Sequence, residues 1–166
     1  VILPLVLAAA TAAAPLTFEG IAMGDDATKI AAAHAGHSTF TALGPAWTWR
    51  REGGGTMLVA SDLKGKVTVV DFSADQGEDG SVSLPLAGPF GIQDTHGNLA
   101  SAVGGATSEC QPNYSGGFCG VYSLAGGTAI VAQFENNDGQ LHRATWATPA
   151  TLTKLLVLPP AISPTT

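Results

Sequence analysis

The most constraining feature of the chain is that one order of segments occurs twice. Ile21-Ala22-Met23-Gly24-Asp25-Asp26 opens onto the Ala-rich run Ala27 to Gly36. In the second half, Phe90-Gly91-Ile92-Gln93-Asp94 opens onto Asn98 to Gly105. In both places an Asp stands where its carboxylate can accept hydrogen bonds from the unpaired first amides of a helix, and Gly stands where the helix must stop. Two short helices are expected, and Gly97 weakens the second by roughly 1 kcal/mol relative to Ala.

Each expected helix is followed by a loop and then by strand-like stretches. Trp47-Thr48-Trp49-Arg50 alternates apolar with polar, Gly53-Gly54-Gly55 supplies a turn, and Thr56 to Ala60 continues as a half-buried strand. Leu63-Lys64-Gly65 makes the next turn before Lys66 to Phe72. The second half repeats this order, with Phe118 to Leu124, Gly126-Gly127, Thr128 to Phe134, Asn137-Asp138-Gly139 and Gln140 to Trp146. Asp-Gly is a strong hairpin signal. In this alignment Cys119 stands where Trp47 stands in the first copy. The expected fold is α+β: two repeats of a helix followed by a three-stranded antiparallel meander, with the helices packed on one face of the sheet or sheets. The corresponding division is 15–80 for the first repeat, 81–88 for a linker containing Pro85, 89–158 for the second repeat and 159–166 for a disordered tail.

Export is the second expectation. Val1 to Ala14 carry no charge and read as an apolar core, Leu3 to Leu7, followed by the small-residue run Ala8 to Ala14, the pattern of a secretory signal peptide. A bilayer span needs about 20 apolar residues, so no stable membrane anchor is expected after cleavage, and the localisation read from this segment is periplasmic or secreted. An oxidising compartment would join the two cysteines, Cys110 and Cys119, in a structural disulfide. With 7 Lys and Arg against 13 Asp and Glu, the net charge is −6, which argues against a nucleic-acid surface because phosphate tracking needs clustered cations.

The entry Ile21-Ala22-Met23-Gly24-Asp25, the Ala-rich helix ending at Gly36 and the strands around Gly65, taken twice over Phe18 to Trp146, resemble a tandem of the BamE-like (SmpA/OmlA) envelope proteins and the beta-lactamase inhibitor proteins. That resemblance implies helices packed on an antiparallel sheet, and protein binding through the concave sheet and its loops. A BamE-like lipoprotein would carry a Cys at its cleavage site. Residues 8–15 contain none, so lipid anchoring is not expected.

Candidate chemistry is sparse. His34 and His37 have a spacing that suits metal ligands on a helix face, but Gly36 between them ends the helix, which puts His37 in a loop and His34 near the terminal carbonyls. Asp71 to Asp79 has oxygen ligands at alternate positions, yet Gln76 and Val82 stand where a calcium loop requires Gly and Glu, so a solvated turn is preferred. No nucleophile elbow or zinc motif is present, and neither cofactor nor metal is expected. Trp47, Trp49, Arg50, Tyr114, Phe118 and Tyr122 are the binding candidates, with Arg51 beside them. Alternation sends Trp47 and Trp49 to one side of their strand, either into the core or onto an exposed aromatic surface. The leading functional expectation is an exported protein-binding module of the envelope or periplasm, inhibitor-like or assembly-related. The alternatives are a small periplasmic hydrolase and a structural envelope protein without a discrete ligand.

Overall fold

The computed structural model describes residues 17–51, 55–76, 82–83, 99, 107–110, 117–124, 126–135 and 141–155. Eight strands form one antiparallel sheet: β1 (His37–Thr41), β2 (Gly44–Arg50), β3 (Thr56–Ser61), β4 (Val67–Ser73), β7 (Thr107–Cys110), β8 (Phe118–Ser123), β9 (Ala129–Phe134) and β10 (Leu141–Ala147). A two-residue pair, β5 (Asp75–Gln76) with β6 (Val82–Ser83), stands apart. The order across the large sheet is β1-β2-β3-β4-β10-β9-β8-β7, so two four-stranded meanders meet through their last strands. Helices α1 (Ala27–Ala33) and α2 (Pro149–Lys154) are short, and Leu99 is helical and buried.

This architecture corrects the expected fold class. Among the described residues the molecule is mainly a single eight-stranded antiparallel sheet with short helices, instead of two helix-plus-three-strand repeats. β2, β3, β4, β8, β9 and β10 lie in stretches whose alternation marks strands. The edge strands β1 and β7 were not anticipated. His37-Ser38-Thr39-Phe40-Thr41 is almost wholly exposed, so no burial period is written into it, and His37 opens a strand where a loop was expected. The signal segment 1–14, most of the linker 81–88, the second helix apart from Leu99, the Asn137-Asp138-Gly139 turn and the tail 159–166 lie outside the described residues.

Strand alternation divides the sheet into two faces. The first carries Trp49, Met57, Phe72, Ala144 and Ala132 in one lateral row, and Trp47, Val59, Val70, Trp146, Ile130 and Tyr122 in the next. These side chains form the main core together with Phe18 and Ile21 of the N-terminal arm, Ala27 of α1 and Leu99. Trp146 keeps its indole N–H satisfied by donating to Thr128 Oγ1 at 2.9 Å. The arm is held by charge as well. Arg51 Nε donates to Glu19 Oε2 at 2.7 Å, Nη2 donates to Oε1, and the guanidinium carbon lies 4.8 Å from the centre of the Phe72 ring.

The end of α1 shows how packing overrides a local rule. Asp26 caps the helix as its position suggests, accepting from the amides of Thr28 and Lys29 at 3.1 Å. The left-handed residue after the helix is Ala35, with φ of 51°, and Gly36 is needed for a different reason. A Cβ there would lie 3.3 Å from both the Ala31 carbonyl oxygen and Trp49 Cε3. Its lack of a side chain lets the helix end approach the tryptophan.

Candidate functional site

The second face is built from the alternate residues of the same strands, in three lateral rows. The first row crosses Thr39, Ala46, Ala60, Val69, Ala147, Ala129 and Ser123, small residues that leave room for α2 to lie close. Leu152 of α2 is fully buried in this cluster, with Leu155 packed at its margin. Thr148 Oγ1 accepts from the Thr151 amide at 3.3 Å and Pro149 begins the helix, a cap-and-proline start visible in the sequence once sought.

The other two rows are mixed: Val131, Val121 and Cys119 are buried in the same cluster as Leu152, whereas the β2, β3, β4 and β10 positions are polar apart from Leu58. One crosses His37, Thr48, Leu58, Asp71, Thr145, Val131 and Val121. The last crosses Arg50, Thr56, Ser73, Arg143 and Gln133 and ends on Cys119 and Cys110, which are directly opposite each other and disulfide-bonded. At the centre, Arg143 Nε donates to Asp71 Oδ1 at 3.0 Å and Nη2 donates to Oδ2 at 3.2 Å, a two-pronged pair. The Thr145 hydroxyl donates to Asp71 Oδ1 at 2.6 Å. The side chain of Asp71 is 13% exposed and that of Arg143 is 42% exposed. The carboxylate is thus sunk into the sheet with its acceptors occupied, and it holds a guanidinium at the surface in one orientation. This network lies between the two meanders, on β4 and β10, and Asp71 sits in the strand expected over Lys66 to Phe72, at the centre of the sheet.

The sequence candidates separate cleanly by face. Trp49 and Tyr122 are buried, and Trp47 and Phe118 are half-buried against the same first-face core. Burial pushes the Tyr122 hydroxyl well above the ordinary tyrosine range. Arg50 is exposed on the second face, and Tyr114 lies outside the described residues. Cys119 does not correspond to Trp47: it packs in the second-face cluster, whereas Trp47 packs in the first. A register shift by an odd number of residues exchanges the faces, so the two positions are not equivalent. His34 stacks on Trp49, ring centres 4.8 Å apart, on the first face, while His37 pairs with Thr48 on the second. The sheet separates the two histidines.

What sequence reasoning missed is Thr56, Ser73, Asp71, Gln133, Arg143 and Thr145. Each is an ordinary polar residue in a strand, and only the β4–β10 pairing brings Asp71 to Arg143 and Thr145. Among the described residues no helix is long and apolar enough to cross a membrane.

No family model and no curated protein sequence matches the chain. A solved structure that is similar is an extracellular protein containing an SCP domain from Bacillus anthracis str. Ames, at 12% identity and a TM-score of 0.51. The match covers 86% of this chain and 50% of that one, so the chain spans about half the length of its neighbour. At this identity the likeness concerns the fold alone. It replaces the resemblance to a tandem BamE-like or beta-lactamase inhibitor-like protein, which the single mostly-sheet architecture contradicts.

Proposed function

We propose that the chain is a secreted protein-binding module that works through the part of its second sheet face left open by α2. One observation carries this reading: the Arg143, Asp71 and Thr145 network orients a half-exposed guanidinium on a face whose packing does not require it. A core does not gain from a surface arginine fixed in this way, since exposed ion pairs contribute about 0–1 kcal/mol. A binding face does gain, because a side chain already ordered loses less entropy when the partner arrives. The Cys110–Cys119 bridge, the signal-like first residues and the extracellular neighbour support secretion, in a periplasm or beyond the cell.

The test is site-specific photocrosslinking in the exported fraction of the source cells, with the crosslinker at Thr56. The expected outcome is one stoichiometric protein adduct, absent when the crosslinker is moved to Leu63 in the β3–β4 turn. Recovery of no adduct from Thr56, or equal recovery from both positions, would remove this reading.

A further inference from the structure

We infer that β1 is a self-association edge: a second copy of this chain lays its own β1 antiparallel against it, with Ser38 of each copy opposite Phe40 of the other. This surface is the edge of the sheet and not its open face, so the inference goes beyond the binding reading and does not depend on it.

β1 ends the order of the large sheet and has β2 as its one neighbour among the described residues. The β1–β2 register sets Phe40 opposite Pro45, which has no amide hydrogen, so these two cannot be a doubly bonded pair of the ladder. Bonded and non-bonded pairs alternate in an antiparallel ladder, which makes His37, Thr39 and Thr41 the residues bonded to β2. Ser38 and Phe40 therefore turn their N–H and C=O groups to the outer edge. Pairing two copies about Thr39 brings each outward residue opposite an outward residue, and every one of these groups finds its complement.

The side chains fit the same register. Phe40 is 81% exposed, although a phenyl ring has a large area to gain from burial. Alternation puts Phe40 and Ser38 on the first face, with Ser38 opposite the half-buried Trp47. Directly opposite residues share a face, so Phe40 of the other copy lies across the small Ser38 toward Trp47. The two phenyl rings then stand on a diagonal of about 7–8 Å, within reach of each other.

The edge also lacks what keeps sheets apart. Native edges are blunted by charge, by proline or by a bulge. From Ile30 to Trp49 there is no Asp, Glu, Lys or Arg, β1 contains no Pro, and its ladder runs without a register shift. Two copies thus meet without like charges along this strand, although each chain carries a net charge of −6. β7, at the opposite end of the sheet, holds the exposed Glu109, a charge that guards that edge. A foreign strand would find the same backbone groups, but the second copy supplies in one register both the small residue opposite Phe40 and the ring beside Trp47. An edge of five residues is short against the roughly 800 Å² that each partner buries in a standard interface, so the dimer is expected to be weak and concentration-dependent.

The experiment is sedimentation equilibrium of the full chain, its disulfide formed, up to millimolar concentration. A monomer–dimer equilibrium is expected. Phe40→Lys removes the ring and sets two like charges across the edge, and should raise the dissociation constant at least about tenfold. The urea midpoint should not move, because this side chain is exposed in the monomer. Leu63→Lys, at a side chain 98% exposed in the β3–β4 turn, should leave the association as it was. Thr39 meets its own counterpart in a non-bonded pair with Cα atoms about 4.5 Å apart, within the span of a disulfide. Thr39→Cys should therefore oxidise to a covalent dimer much faster than Leu63→Cys. A dimer indifferent to Phe40→Lys, or equal oxidation rates at the two cysteines, overturns the inference. A monomer at every concentration also overturns it: slow amide exchange at Ser38 and Phe40 would then give the edge to another segment of this chain, and fast exchange would leave it to a different protein.

Discussion

Arg51 and Arg143 show how one side chain serves two purposes according to its surroundings. Arg51 is 3% exposed and is held by Glu19, itself 25% exposed, and by the face of Phe72. Removing the Glu19 carboxylate would take the counter-charge from a buried guanidinium, which costs far more than the pair contributes when intact. Glu19→Ala is therefore expected to destabilise the protein by about 3 kcal/mol, measured by urea unfolding. A loss below about 1 kcal/mol would mean that Arg51 escapes to water and that the arm is not anchored through it. Arg143, by contrast, is fixed at the surface by a carboxylate below it, and recognition is the role proposed for it.

At the scale of elements, the two helices cover the sheet by different means. The arm and α1 bring large side chains, Phe18 and Ile21, to a first face rich in rings. α2 sits on the row of small residues around Ala46, Ala60 and Ala147, and close approach takes the place of interdigitation. Ala60 is 1% exposed, so Ala60→Leu has nowhere to place its extra atoms except under Leu152. The expected cost is about 2 kcal/mol, accompanied by faster amide exchange in Pro149–Lys154 while the β2–β3 amides remain protected. Unchanged exchange in α2 would show that the helix is held by something other than this row. The row was hidden in the sequence because its alanines come from different strands. The helix itself carries a local signal in Thr148-Pro149, which lies beyond the repeated pattern and has no counterpart in the first half.

For the molecule as a whole, stability is expected to depend on pH through His142, at the irregularity between Leu141 and Arg143. Burial, with the neighbouring Arg143 charge, holds this imidazole below its ordinary value of 6.5, while Glu135 opposes the shift. Above pH 6.5 both folded and unfolded forms are neutral and the contribution is complete. As pH falls below 6.5 the unfolded chain takes up the proton first, and stability is lost down to the folded-state value. His142→Asn should flatten that part of the stability profile in denaturant unfolding across pH 5 to 7.5. An unaltered slope would show that other groups set it.

The six inner strands are legible in the chain, because alternation with turn residues at the ends is a local property of contiguous residues. The cysteine pairing is legible too, since only two cysteines exist. How those strands join is a property of the fold. Pairing β4 with β10 brings together residues 71 and 145, and no local period encodes so distant a contact. That pairing merges the meanders into one sheet, and β1 and β7 complete its edges where exposure erases the pattern of burial. It also decides what each face is for: the aromatics singled out in the sequence fill the core, and Asp71, Thr145 and Arg143 meet on the other side. Rings are drawn inward by the large area they bury, whereas polar side chains acquire a purpose only from the neighbours that the fold gives them.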